Sequence, residues 1–299
     1  MQARLVIRVR EDGELKGAWG LGHEAWVVIF LIGFHGVGAF QTSSDGAQVP
    51  RPKTQDHGDF VDIPAGPFTM GADRLRDPMA FDNERPEHSV DVPAFFIARH
   101  EVTAGEFKQF AQAGKWSADP RARDIANNHP VAFVSWTDAL AYCRWLETQL
   151  KSSGSTPPRI AQALRDGWHV TLPTEAQWEK AARGTDRRRF PWGEEPRRDR
   201  ANVASSATVP VGSIACPECA HGLSDMAGNV WEWTRSPLQP YPYTESDDRS
   251  NLDADALWVM RGGAFNDASP QLIRTTTRGG AEPGARRPFI GFRVVIARP

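Results

Sequence analysis

The chain has little cysteine, little tyrosine and almost no net charge, and each shortage excludes something. Three cysteines in 299 residues are too few for a disulfide scaffold or a four-thiolate zinc module. A formal charge of -2, with 35 basic and 37 acidic residues, gives no field that would gather nucleic acid or an anionic bilayer. No nucleic-acid partner is expected. Arg187 to Arg189 form the only compact basic run before FPWG, and three arginines read as a solvated turn. The chain also lacks a charge-free apolar stretch near the roughly 20 residues a membrane-spanning helix needs. It shows no internal repeat and no alternation of strands and helices of the parallel βαβ kind.

What is present is tryptophan, phenylalanine and loop-forming residues. With 11 Trp, 15 Phe and 40% apolar content the chain can bury a large core. The 26 Gly and 23 Pro leave only short regular elements. Three capping boxes mark helix starts: Thr103 with Glu106, Ser135 with Asp138, and Thr174 with Gln177. After the second box, Trp136, Ala139, Leu140, Cys143 and Leu146 recur at spacings of three and four and form one apolar stripe. That makes Cys143 a small buried hydrophobe, and Trp136, Trp145, Trp178 and Trp233 are assigned to the core. Val61 to Ile63, Phe95 to Ala98, Trp258 to Met260 and Phe292 to Ile296 read as short strands. An α+β domain of low regularity follows, over residues 60–299.

The N-terminal part reads differently. Trp26 to Phe40, WVVIFLIGFHGVGAF, matches the apolar region of a signal peptide in length, and Val37-Gly38-Ala39 is a small-residue exit of the kind a signal peptidase accepts. Residues 1–40 are therefore expected to be a signal peptide or a membrane anchor, the only part to meet a membrane. Residues 41–59 read as a flexible linker. The expected location is outside the cytoplasm, in the periplasm or cell envelope.

The most informative strings are GLSDMAGNVWEW at Gly222 to Trp233 and RGGAF at Arg261 to Phe265. Others precede and follow them in order: FTMGAD from Phe68, PEHSVDVPAFFIARHEVTAGEF from Pro86, PVAFVSWTDALAYCRWL from Pro130, TLPTEAQWEKAARG from Thr171, FPWG from Phe190, PVGS from Pro210 and GFRVV from Gly291. Together they resemble the domain of the formylglycine-generating enzymes, also called sulfatase-modifying factors. The resemblance implies a C-type-lectin-like fold of small antiparallel sheets, a few helices and many loops. In those enzymes a cysteine pair after R-G-G binds copper and activates dioxygen. The two positions fall here on Asp267 and Leu272, and Ala264 stands where the enzymes have serine. Neither side chain offers the soft thiolate that Cu(I) requires. No copper and no formylglycine-generating activity are expected, and whether the chain is an enzyme stays open.

The resemblance also implies one structural calcium ion, held by Asp225, the Gly228 and Val230 carbonyls and Glu232, an oxygen set suited to a hard cation. A second site would begin at Asn202 and Val203 but lacks its acidic partner loop. The competing reading is that Asp225 and Glu232 only bind backbone amides in a tight turn. Family members in thiohistidine biosynthesis carry iron on an HxxxH and HxE histidine set, a spacing not found among the eight histidines here, so that activity is not expected. Cys216-Pro217-Glu218-Cys219 admits a local disulfide, a redox pair, or half of a zinc site with His221. The disulfide is the expected state in an exported chain.

Trp231, whose counterpart borders the oxygen pocket of the enzymes, is grouped with Asp267 and Arg274 as the residues that would line a reaction site. Arg278, Glu282, Arg286 and Arg287 complete the charged C-terminal set, which also fits a solvated loop held by ion pairs. Two functions remain: a tailoring or maturation factor that acts on or binds a peptide-derived substrate between the GNVWEW and RGGAF segments, or a non-catalytic, calcium-stabilised lectin-like module that recognises a protein or glycan.

Overall fold

The computed structural model describes residues 59–244 and 251–298. The signal-peptide, linker and anchor expectations for residues 1–58 lie outside the described residues.

All three capping boxes form. Thr103 starts α1 (Ala104–Ala113), Ser135 starts α3 (Trp136–Ser152) and Thr174 starts α5 (Glu175–Arg183), each with reciprocal bonds between cap and third helical residue. Between them lie α2 (Pro120–Arg123), opened by Asp119, and α4 (Pro158–Arg165). The stripe of α3 turns inward as its spacing requires, burying Trp136, Ala139, Cys143 and Leu146. Trp145 is only partly buried, at the edge of this core.

Among the described residues ten strands make two four-stranded sheets and a hairpin. The first sheet has the order β1 (Phe60–Ile63), β4 (Phe95–Ala98), β10 (Val295–Ala297), β5 (His169–Thr171), antiparallel throughout. The first and last strands of the domain thus flank β4 together. The hairpin joins β2 (Gly66–Met70) to β3 (His88–Val92). The second sheet runs β8 (Arg278–Ala281), β7 (Trp258–Arg261), β6 (Trp231–Pro237), β9 (Ile290–Gly291), with only β6 and β9 parallel. This is the α+β class expected. The one run expected at Phe292 to Ile296 is divided instead. Residues 292–294 pass from β9 to β10, between the two sheets, and bury Phe292, Arg293 and Val294 alike.

Among the described residues three apolar clusters fill the interior. The largest lies beneath α1 and α3, where Phe107, Phe110, Tyr142 and Phe292 meet edge to face and Trp136 stacks on Trp258 at 3.8 Å. A second surrounds α5 with Trp178, Ile97 and Val295. A third, of Phe190, Trp192, Ala201, Cys219, Ala227 and Ile273, lies under the loops that carry the site.

Helix α5 is buried on every side, including Glu175, Glu179 and Arg183. Its carboxylates are matched from the C-terminal half. Arg278 grips Glu175 with two nitrogens, Arg261 holds Glu179, and Arg183 reaches Glu179 at 3.0 Å. Buried charges are tolerated only when paired and hydrogen-bonded; here Arg261 and Arg278 cross-link α5 to the C-terminal segment, and Arg183 ties the helix to the Thr69 and Gly71 carbonyls.

Candidate functional site

The segment Ser224 to Val230 turns tightly, with Asp225 and Asn229 in the left-handed region at φ 57° and 60°. Asp and Asn tolerate that conformation best among residues with a side chain. Gly228 between them must be glycine, since a Cβ there would lie 2.3 Å from the Asn202 carbonyl oxygen. The turn puts Asp225 against the β4–α1 link, and Val230 leads into β6, fully buried.

Three buried carboxylates meet at this place with one guanidinium. Glu232 is held at both oxygens by Arg293, at 2.6 Å each, and accepts the Trp178 indole N–H at 2.7 Å. Arg293 further donates to the Ser224, Ala98 and Arg99 carbonyls. Glu232, expected as a cation ligand beside Asp225, is therefore engaged by protein partners. The other two carboxylates are not neutralised. Asp225 accepts the Gly212 amide N–H at 2.6 Å and lies within hydrogen-bonding reach of the Glu101 carboxyl. Glu101, 2% exposed, has no hydrogen-bond donor on either oxygen. Burial pushes the Glu101 carboxyl well above the ordinary range, and the adjacent Asp225 pushes it further. Burial also raises Asp225. His100 beside them is driven down to about 4, by burial and then by Arg293, so it supplies no positive charge. With all three carboxylates ionised against Arg293 alone, the pocket holds an excess of two negative charges. A buried oxygen pair without donors fits a hard divalent cation. Among the described residues no three His, Cys, Asp or Glu side chains converge as a metal cluster, so backbone carbonyls would have to complete such a shell.

Asp267 and Trp231 come together as expected. The Asp267 carboxylate accepts the Trp231 indole N–H at 3.0 Å and the Ala264 amide at 2.8 Å through one oxygen. Burial raises its pKa, against these two bonds, and no cation pairs with it among the described residues. Gly263 makes the approach possible. It sits at φ 74°, and a Cβ there would meet the Leu272 carbonyl oxygen at 2.9 Å and Asp267 at 3.4 Å. Both positions that carry cysteine in the copper enzymes thus flank the R-G-G turn, holding a carboxylate and an isobutyl group. The donor set does not fit copper. Asp267 also lines a shallow cleft of about 150 Å³, between Pro196, Arg197 and Arg198 on one side and Ala268 to Pro270 and Ile273 on the other, with Val203.

Arg274 is not in this cleft, which corrects its grouping with Asp267. It is fully buried and grips Glu84 with two nitrogens and Asp77 with one, which fixes the loop before β3 to the C-terminal segment. Arg278 and Arg286 are likewise held, by Glu175 and Asp138. Cys216 and Cys219 form a disulfide. Cys143 is buried, and desolvation pushes its thiol far up, which makes it unreactive.

Residues 46–298 match the family model of the sulfatase-modifying factor enzyme 1-like domain, and the chain belongs to that family. It is 31% identical to the hercynine oxygenase of Mycolicibacterium smegmatis, over 83% of this chain and 64% of that protein. It is 29% identical to the formylglycine-generating enzyme of Streptomyces coelicolor, over 78% of this chain and 87% of that one. The structure of PvdO from Pseudomonas aeruginosa superposes with a TM-score of 0.62 and 26% identity, covering 81% of this chain and 95% of PvdO. The chain spans under two thirds of the length of the hercynine oxygenases it matches.

Sequence reasoning missed Glu101 and Arg293. Glu101 lies in HEVT, where an acid just before a helix cap reads as ordinary N-terminal charge. Only its placement against Asp225 gives it a part in the site.

Proposed function

We propose that this protein is an exported tailoring or maturation factor that binds or acts on a small peptide-derived substrate at the Asp267 cleft, without copper and without forming formylglycine. The observation that carries the reading is the Asp267 carboxylate, fixed by Trp231 and Ala264 at the rim of the cleft, at a position where thiolate chemistry would need cysteine. A carboxylate raised by burial and left without a cationic partner is suited to take up or release a proton, or to receive a substrate N–H. Such a group can serve as a general base or an orienting acceptor. It cannot replace a thiolate in one-electron copper chemistry.

A structural calcium ion at Asp225 and Glu101, with the Gly228 and Val230 carbonyls as further oxygen donors, belongs to the same proposal. The support is the pair of unpartnered Glu101 oxygens beside Asp225. When bound, the ion would neutralise the two carboxylates and tie the GNVWEW turn to the β4–α1 link. That anchors the turn leading to Trp231, and through Trp231 the Asp267 carboxylate.

Elemental analysis by mass spectrometry of protein purified without chelators tests both parts. Calcium near one per chain with no stoichiometric copper or iron is expected. Bound copper or iron at one per chain would overturn the reading of Asp267. A substrate search follows, comparing peptide extracts exposed to the wild type and to Asp267→Asn. No difference between the two would favour a calcium-stabilised, lectin-like binding module instead.

A further inference from the structure

The cleft beside Asp267 has one wall formed by Ala268, Ser269, Pro270 and Ile273 and one wall held from outside. The outer wall, Pro196 to Arg198, belongs to a connection with one short 3-10 turn, Arg198–Arg200. At its start the Trp192 indole donates to the Glu195 carbonyl and Arg189 pairs with Glu194 at 3.1 Å and Glu195 at 3.5 Å, whereas the arginines of the wall itself are held from outside by one side chain. Glu218 accepts Arg197 Nη1 at 2.8 Å and Arg200 Nε at 2.7 Å on the same oxygen. Asp199 braces the two arginines from between them, at 2.7 and 3.2 Å. Glu218 in turn is the third residue of the Cys216–Cys219 ring, whose Cα atoms are 5.3 Å apart. Cys219 packs in the third apolar cluster against Phe190, Ala201 and Ile273, and Ile273 also floors the cleft. The Arg188 guanidinium steadies the ring by donating to the Glu218 and Pro191 carbonyls.

We infer that Glu218 is the positioning residue of the cleft's arginine wall, and that the Cys216–Cys219 disulfide makes this position redox-dependent. The ring fixes the direction of the Glu218 side chain, Glu218 fixes Arg197 and Arg200, and these hold Pro196 to Arg198 across from Asp267. Reduction releases the first link. A dithiol thiolate attacks a sulfur of the half-exposed Cys216 side, the S–S bond breaks, and both cysteines leave as protonated thiols while the dithiol closes to its own disulfide. A four-residue ring constrains the unfolded chain far less than a long loop does, so the loss is local. The wall then moves while both sheets and the Asp267–Trp231 pair stay in place. This coupling holds whatever ligand the cleft takes.

Limited trypsin digestion of the full chain tests it, because the wall carries its own cleavage points after Arg197, Arg198 and Arg200. The comparison is between oxidised protein, protein treated with dithiothreitol, the Cys216→Ser/Cys219→Ser variant and oxidised Glu218→Gln. Cleavage after Arg74, in an exposed loop fixed by its own Asp73 turn, is the internal control. At least a ten-fold faster cleavage at the wall is expected on reduction and in the double serine variant, with the Arg74 rate unchanged. Glu218→Gln, which keeps the ring and loses the charge, is expected to accelerate the same three bonds without any reductant. Equal rates at the wall in oxidised and reduced protein would overturn the proposal. So would acceleration of equal size at Arg74, since the disulfide would then brace the whole domain. If Glu218→Gln cleaves like the wild type, Glu218 does not position the wall.

Discussion

Replacing Glu101 by glutamine should reverse its effect on stability according to whether calcium is present. In chelator, wild-type Glu101 and Asp225 are two adjacent buried carboxylates, with the Gly212 amide on Asp225 and no backbone or cationic donor on the Glu101 oxygens. Glutamine has the same shape and brings an N–H that can donate to Asp225. A hydrogen bond to a charged group adds about 1.5–3 kcal/mol, and for a domain of this size each kcal/mol moves Tm by roughly 2–4 °C. Glu101→Gln in EDTA should therefore melt about 3–12 °C above the wild type, by those two conversions. With calcium at a hundred times its Kd the wild type gains about 2.7 kcal/mol, or roughly 5–11 °C. The variant, having lost a charged ligand, should gain much less. The pH dependence has a definite sign as well. Glu101 has its folded pKa raised above the ordinary 4.5, so in EDTA its contribution is fully present below that value and is lost as pH rises through the raised one. The metal-free wild type should weaken over this window, and Glu101→Gln should flatten the loss. Scanning fluorimetry with and without calcium is sufficient. A variant that melts lower than the wild type in EDTA would refute the reasoning, because it would mean the Glu101 oxygens are already satisfied.

Other substitutions test the remaining parts of the site. Asp267→Asn keeps an oxygen for Trp231 and Ala264 but cannot ionise. The indole N–H resonance of Trp231 should titrate in the wild type above the ordinary aspartate range and stay flat in the variant. Because that pKa is raised, the Asp267 contribution to stability is lost as pH climbs through it, and the variant should lack this slope in urea titrations. Arg274→Met should cost about 3–5 kcal/mol in urea unfolding, by leaving Glu84 and Asp77 buried without their cation. A cost near zero would return Arg274 to the cleft. Trp178→Phe removes the indole N–H from Glu232 and should cost about 1–3 kcal/mol, with a smaller calcium-dependent rise in Tm as the turn loosens.

The local signals were legible, and the long-range pairings were not. Capping boxes and the α3 stripe are set by residues within a few positions of one another, so Thr103, Ser135 and Thr174 announce their helices directly. Glu175 and Glu179, four residues apart, share one face of α5. It is buried because Arg261 and Arg278 arrive from more than eighty residues downstream. The same holds for Arg274, whose charge suggested a reaction site. Its partners Glu84 and Asp77 come from near the start of the domain. Leu272 and Asp267 could be placed beside R-G-G by counting, since a glycine turn keeps them local. Glu101 could not, because an acid becomes remarkable in this fold only when no donor reaches it.

The buried helix α5 also dictates an order of events in the cell. Its two carboxylates are neutralised by Arg261 and Arg278, so while the chain is being extruded from a ribosome or through a pore, the helix has no tolerable interior to enter. Its burial must wait for β7 and β8 of the second sheet to be delivered, and contacts of this sequence separation close slowly. A chain cut short of Arg261 should therefore leave α5 exposed as a handle for chaperones and proteases, and quality control would sense the missing C-terminus at the middle of the sequence.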